Sequence, residues 1–373
     1  MIYLLLAAGL FMGWSLGTND AANAFGTAVA TRVVKYRTAV IIIAVMVVLG
    51  SILQGADDID KLSSISTNNE VSADMQDIED LGFEFEKDED GNYILVNDED
   101  DVDQKALSSL RLKSGLKAAI IFICAALTVF VMSYLKFPVS ANQAVTGAII
   151  GWGLFYADYK NPAVLSTNLK EIGKFMSTWF INPIGAALIG FVIVFLFKKF
   201  LESKVMSLGG YDKIVKIGYI IAGAYSAYTI GINSSASVTA FYYDSFGVGA
   251  NILTSASFTA ILGGLAIAVG VLTFSKRVMM TVGGSIANIS QLDGFLVIIA
   301  SALSITLMKE LMGIPVSTSQ AVVGAVVGAG LVGGVKNVNF GVFKRIAIAW
   351  VSSPTVAGLM AYLIGLATQG YFK

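Results

Sequence analysis

A proline followed by short polar side chains, set inside apolar sequence, is chemically distinctive, and this chain carries that arrangement twice. Pro138-Val-Ser-Ala-Asn-Gln143 and Pro315-Val-Ser-Thr-Ser-Gln320 each lead into a run of Ala, Val and Gly. Proline and then Ser or Thr is a helix start signal. The first turn of a helix leaves several N–H groups without intrahelical partners, and inside a bilayer such donors cannot be left bare. Side-chain oxygens can cap some of them, and a bound anion can satisfy others with the help of the helix dipole. Two such turns converging from opposite sides would offer many neutral donors to one small oxyanion. The candidate anion-binding residues are Ser140, Ala141, Asn142 and Gln143, with Ser317, Thr318, Ser319 and Gln320. A capped kink in a span is the alternative for either turn alone.

A second constellation suits a cation. Gly17-Thr18-Asn19-Asp20-Ala-Ala-Asn23 puts a carboxylate and two amides into another apolar stretch. Asp20 has no basic neighbour in sequence, and a carboxylate inside a membrane must find a cation or a proton. Asn19, Asn23 and freed backbone carbonyls supply the oxygens a hard cation takes, and sodium fits that set. A protonated Asp20, hydrogen-bonded within a bundle, is the alternative. Gly231-Ile-Asn233-Ser234-Ser-Ala-Ser237 is a weaker copy that lacks the carboxylate; Asn233, Ser234 and Ser237 are its candidate ligands. Asp293 is expected at the start of a hairpin, and Glu310 in a local pair with Lys309. Asp88-Glu-Asp-Gly-Asn92 has part of a calcium loop but not its spacing.

The elements that must hold these groups are membrane spans. The chain has 373 residues, 55% hydrophobic and 14% charged, with a mean hydropathy of +0.73. A soluble protein carries about 25% charged residues. Of 26 Asp and Glu, 18 lie between Asp57 and Asp103, a stretch expected to be mobile. No global basic field is present, so nucleic acid is not an expected partner. With no histidine and a single cysteine, Cys124, Ser/His and Cys/His catalysis are unavailable and the chain is not read as an enzyme. Spans are expected near Ile2–Thr31, Thr38–Gly55, Phe175–Phe197, Ile214–Tyr243, Ala250–Phe274 and Arg345–Thr368. The first and fourth are expected to break at Gly17–Asp20 and Gly231–Ser234.

Leu116–Leu154 and Phe295–Val332 are each interrupted by a proline turn, and their length fits either one span or a hairpin. Loop charge separates the two. Basic clusters fall at Arg32, Lys35 and Arg37, at Lys198 to Lys216, at Lys276 and Arg277, and at Lys336 to Arg345. All four can be cytoplasmic only if those two stretches return to the side they entered. Both termini and the acidic loop then lie outside, in a multi-pass protein of the cell membrane. The halves read as residues 1–205, with an acidic insertion at 57–113, and residues 206–373. The fold class expected is an all-α polytopic membrane protein of two inverted repeats, with broken transmembrane helices and re-entrant helical hairpins, the usual plan of secondary transporters. The repeat is visible in the letters: Pro138–Ala148 and Pro315–Ala325 agree at eight of eleven positions, 177 residues apart, whereas Gly17 and Gly231 are 214 apart. The difference fits an insertion in the first half.

Gly17-Thr-Asn-Asp-Ala-Ala-Asn-Ala-Phe-Gly26 and the two Pro-Val-Ser turns resemble the signatures of the inorganic phosphate transporter family over nearly the whole chain. The resemblance implies symport of inorganic phosphate driven by sodium or protons. It implicates Asn19, Asp20, Asn23 and both turns. The family turn usually ends in histidine, where Gln143 and Gln320 stand here, and its second signature usually repeats Asn-Asp, where this chain has Asn233-Ser234. Both departures lean toward sodium as the coupling ion, and no cofactor is expected. Phosphate, sodium and the lipid bilayer are the expected partners; a homo-oligomer is compatible. Rival readings are proton coupling, sulfate or another oxyanion as substrate, and an anion channel.

Overall fold

The computed structural model describes residues 2–55, 85–87, 93–95, 104–156, 162–200, 210–245, 256–312 and 316–372. The first half holds α1 (Ile2–Ala30), α2 (Tyr36–Gly55), α3 (Gln104–Tyr134), α4 (Ala141–Tyr156) and α5 (Pro162–Phe200). The second holds α6 (Tyr211–Ser245), α7 (Ala256–Phe274), α8 (Lys276–Gly284), α9 (Gln291–Met312), α10 (Thr318–Val332), α11 (Phe340–Ala367) and the short α12 (Gln369–Phe372). Among the described residues, six helices are long and apolar enough to cross a membrane, and α7 and α8, bent by 76° at their junction, meet the same measure only as a pair.

Side chains are sorted for lipid. Ile184, Leu188, Phe191 and Phe195, at helical spacing on α5, are exposed, as are Val351, Leu359 and Leu363 on α11. Asn19, Asp20, Asn23, Gln143 and Gln320 are buried. Hydrocarbon accepts apolar side chains on the outside, while polar groups must find partners within the bundle.

The two expected helix breaks are absent. α1 is helical through Gly17–Asp20, and α6 through Gly231–Ser234. The glycines allow close packing instead. A Cβ on Gly17 would collide with the Ile267 carbonyl of α7, and one on Gly231 with the Val47 carbonyl of α2. Unbroken helix keeps the backbone satisfied in the apolar layer, leaving the polar side chains free to bond across to other elements. The sharp bend in this part of the chain lies at Ser275, between α7 and α8.

Helix stops ahead of each proline turn, at Tyr134 and at Met312, and starts again at Ala141 and at Thr318. α3 ends in a left-handed cap: Lys136 has φ 69°, Phe137 N–H donates to Met132 O (2.9 Å) and Lys136 N–H to Ser133 O (3.0 Å). The chain resumes as α4, which packs back on α3, and α10 likewise packs on α9. Ser140 Oγ caps α4 by accepting from Gln143 N–H (3.3 Å), and Ser317 Oγ caps α10 by accepting from Gln320 N–H (3.2 Å).

The same contacts occur twice. Gly17 and Gly270 interlock with the Ile267 and Trp14 carbonyls across α1 and α7; Gly231 and Gly50 do so with the Val47 and Tyr228 carbonyls across α6 and α2. Gly147 and Gly151 of α4 sit on Pro354 and Gly358 of α11, and Gly324 and Gly328 of α10 sit on Pro183 and Ala187 of α5. Each hairpin therefore packs against the last long helix of the other half. Direction follows from the order of contacts. Gly13, Gly17 and Gly26 meet Ala266, Ile267 and Met279 in turn, so α1 runs with α7–α8. Ser51 and Gly55 meet Gly231 and Ser235 in turn, so α2 runs with α6. The tight turn between α1 and α2 makes those two opposed, and α6 therefore runs against α1.

Within the acidic stretch a two-stranded antiparallel pair joins β1 (Phe85–Lys87) to β2 (Tyr93–Leu95), with Phe85 opposite Leu95. Aromatic and aliphatic residues are locally dense enough to pair there, which the stretch's acidic average conceals. The rest of that stretch, the Asp88–Asn92 segment, the 205/206 boundary, Pro315 and the side chains of Lys309 and Glu310 lie outside the described residues.

Candidate functional site

α1 passes between the two hairpin tips and touches both through adjacent residues. Successive helical positions point roughly 100° apart, so Asn19 and Asp20 face different partners. Asn19 belongs to the first tip. Its Nδ2 donates to Ser133 Oγ (2.8 Å) and Phe137 O (3.0 Å), and its Oδ1 accepts from Val139 N–H (3.1 Å). Trp350 Nε1 of α11 supports the same tip by donating to Pro138 O (3.0 Å).

Asp20 belongs to the second tip. Its Oδ2 accepts from Thr318 Oγ1 (3.1 Å), and its Oδ1 from Ser319 Oγ (3.3 Å) and Asn23 Nδ2 (3.1 Å). Asn23 Nδ2 also lies 3.0 Å from Thr318 Oγ1 and 3.1 Å from Ser319 Oγ. Amide, hydroxyls and carboxylate thus form one closed network. Asp20 is 3% exposed, and among the described residues no basic side chain pairs with it. The residues expected to hold a cation and those expected to hold an anion are in contact.

Two further asparagines hold the second tip. Asn182 Nδ2 of α5 donates to Ser317 O (2.7 Å), and Asn233 Nδ2 of α6 donates to Val316 O (3.3 Å). The Oδ1 atoms of Asn23, Asn182 and Asn233 are buried without a donor. Such orphaned carbonyl oxygens are what a hard cation takes as ligands.

Gln143 and Gln320 show a related gap. Ser140-x-x-Gln143 and Ser317-x-x-Gln320 are capping-box sequences, in which the glutamine normally reaches back to the N-cap N–H. Only the serine half of each box is made. Gln143 is buried with neither amide atom partnered, and Gln320 Oε1 is also unpartnered. Their side chains remain available to a ligand lying against the helix N-termini.

Of the other expected residues, Ser140, Ala141, Thr318 and Ser234 are buried and Asn142 is half-buried. The side chain of Ser237 lies outside the described residues. Asp293 sits in the first turn of α9. Its Oδ2 accepts from Ser290 N–H (3.2 Å) and pairs with Lys198 Nζ (2.9 Å), while Ser290 Oγ accepts from Asp293 N–H (3.1 Å). It caps a helix and ties α9 to α5. Sequence reasoning missed Asn182, Ser133 and Trp350. Asn182-Pro183 and Ser353-Pro354 form a matched polar-proline pair inside two spans, and that signal would have pointed to α5.

Residues 16–361 match the model of the phosphate transporter family. A Methanocaldococcus jannaschii protein provisionally named a phosphate permease is 26% identical over 365 residues, covering 97% of this chain and 96% of its own. A Bacillus subtilis protein named as a probable low-affinity inorganic phosphate transporter is 25% identical, covering 97% and 96%. A solved structure described as the sodium-dependent phosphate transporter superposes with a TM-score of 0.72 at 21% identity, over 98% of each chain.

Proposed function

Since the chain belongs to the phosphate transporter family, we propose that it imports inorganic phosphate across the cell membrane by sodium symport, with the two hairpin tips exposed alternately to either side. As a member of that family it is a multi-pass membrane transporter and not an enzyme. The observation that carries the coupling proposal is the buried Asp20 carboxylate, which has no basic partner among the described residues and is bonded to Thr318 and Ser319 at the first turn of α10. Sodium beside Asp20, with the idle Asn23 carbonyl among its ligands, balances the carboxylate and so removes its repulsion of a phosphate resting on the adjacent N-termini. Phosphate takes its donors from the turns at Ser140–Gln143 and Ser317–Gln320, with both glutamines completing its shell. Asn19 and Asn233 position the tips, and Ser234 and Ser237 stand at the positions of α6 that match Asp20 and Asn23 in the repeat. The termini and the acidic stretch lie outside on the loop-charge argument.

Radiolabelled phosphate uptake into proteoliposomes tests this reading. An inward sodium gradient is expected to drive accumulation, with sulfate failing to compete. Uptake that follows a proton gradient and ignores sodium overturns the coupling, and ion currents without saturation overturn the transporter reading.

A further inference from the structure

The repeated contacts allow each residue of the Asp20 network to be matched with its counterpart. Gly17, Trp14 and their carbonyl partners correspond to Gly231, Tyr228 and theirs, which sets Ser234 in the place of Asp20 and Ser237 in that of Asn23. Gly147 and Gly151 correspond to Gly324 and Gly328, which sets Ala141 in the place of Thr318 and Asn142 in that of Ser319. The two sides of the site differ greatly. One has a carboxylate, two hydroxyls and an amide in mutual contact. The other has a serine for the carboxylate, an alanine for one hydroxyl and a half-buried asparagine for the other.

We propose that this transporter carries one sodium ion, not two, with each phosphate: the seat beside Asp20 holds the ion, and its counterpart beside Ser234 holds none. The inference rests on the sodium-phosphate symport reading above. Taking a cation out of water costs several kcal/mol, and a carboxylate or a full oxygen shell must offset that. Asp20 does so in the first seat. In the second, the loss of the carboxylate and of a hydroxyl at Ala141 removes both the charge and a ligand. One sodium balances one negative charge, so cotransport with monobasic phosphate moves no net charge.

The test is a double-label experiment on the full chain in proteoliposomes, counting radiolabelled sodium and phosphate entering together at a pH where monobasic phosphate prevails. The ratio is expected to be about one. Sodium activation should be hyperbolic, and an imposed inside-negative potential should leave the rate unchanged. Ser234→Asp combined with Ala141→Thr and Asn142→Ser rebuilds the second seat; it should raise the ratio about twofold and make uptake respond to the potential. A ratio near two and potential-driven uptake in the unmodified chain overturn the proposal, whether or not the triple variant folds. Phosphate uptake with no sodium entry overturns the symport reading itself, a result distinct from either ratio.

Discussion

Gln143 is buried with both ends of its amide idle, a cost of about 1–3 kcal/mol that a finished fold normally avoids. That cost is explained if the amide serves a ligand. Gln143→Met removes the orphaned group at similar volume, so the purified protein is expected to melt no lower than the parent while phosphate uptake falls at least tenfold; a thermal melt beside a transport assay reads both. Asp20 makes the opposite prediction. Asp20→Asn keeps the shape and removes the charge, and sodium-stimulated uptake should be lost; full retention would sink its coupling role. Thr318→Val deletes one hydroxyl of the carboxylate network, a charged-group bond of about 1.5–3 kcal/mol. The sodium concentration for half-maximal uptake should rise about tenfold or more, measured by a sodium titration of uptake. The residue types were legible in sequence, because polar groups stand out in apolar surroundings. Their allegiance was not: Asn19 and Asp20 are neighbours in the chain but serve opposite tips, since helix geometry turns them apart.

At the scale of elements, the interlocked glycines decide how closely helices approach. Small residues let transmembrane backbones touch where lipid provides no hydrophobic drive between helices. A side chain at Gly151 would meet the backbone of Gly358, and one at Gly328 that of Ala187. Gly151→Val and Gly328→Val are expected to destabilise the fold by similar amounts, each about 1–3 kcal/mol or more. Thermal melts in detergent would show it, and a large effect at one position with none at the other would break the equivalence of the halves. The hairpins were legible from Pro138 and Pro315, because proline withholds a donor wherever it falls. The breaks expected in α1 and α6 were misread. Gly and Asn suggest a loop by propensity, but close approach to α7 and α2 uses the same glycine, and tertiary packing prevailed over propensity.

Over the whole molecule, the basic clusters draw together around the α8–α9 connection. Tyr36 OH lies 3.2 Å from Ser275 Oγ and under Lys276, Lys198 pairs with Asp293, and Asn339 N–H donates to Ile286 O (2.8 Å). One charged end supports the inverted reading, in which both hairpins return to the side they enter. Cys124 is the only cysteine in the chain and is buried, so a Cys124→Ser background suits surface mapping. Lys35→Cys, Arg277→Cys and Lys344→Cys should react with an impermeant thiol reagent only after permeabilisation, and Asp90→Cys in intact cells; the reverse pattern would invert the topology. The sequence by itself determined the membrane class, the paired proline turns, the acidic stretch and the polar residues of the candidate site, because each is a local contrast of composition against an apolar background. Only the tertiary structure decided that α1 stays whole, that each hairpin packs on the other half, that Asn182 joins the second tip and that Asp20 meets Thr318 and Ser319. Those facts depend on which helix faces meet across 135 residues of chain for Asn182 and nearly 300 for Asp20, and no local pattern of letters encodes such distances.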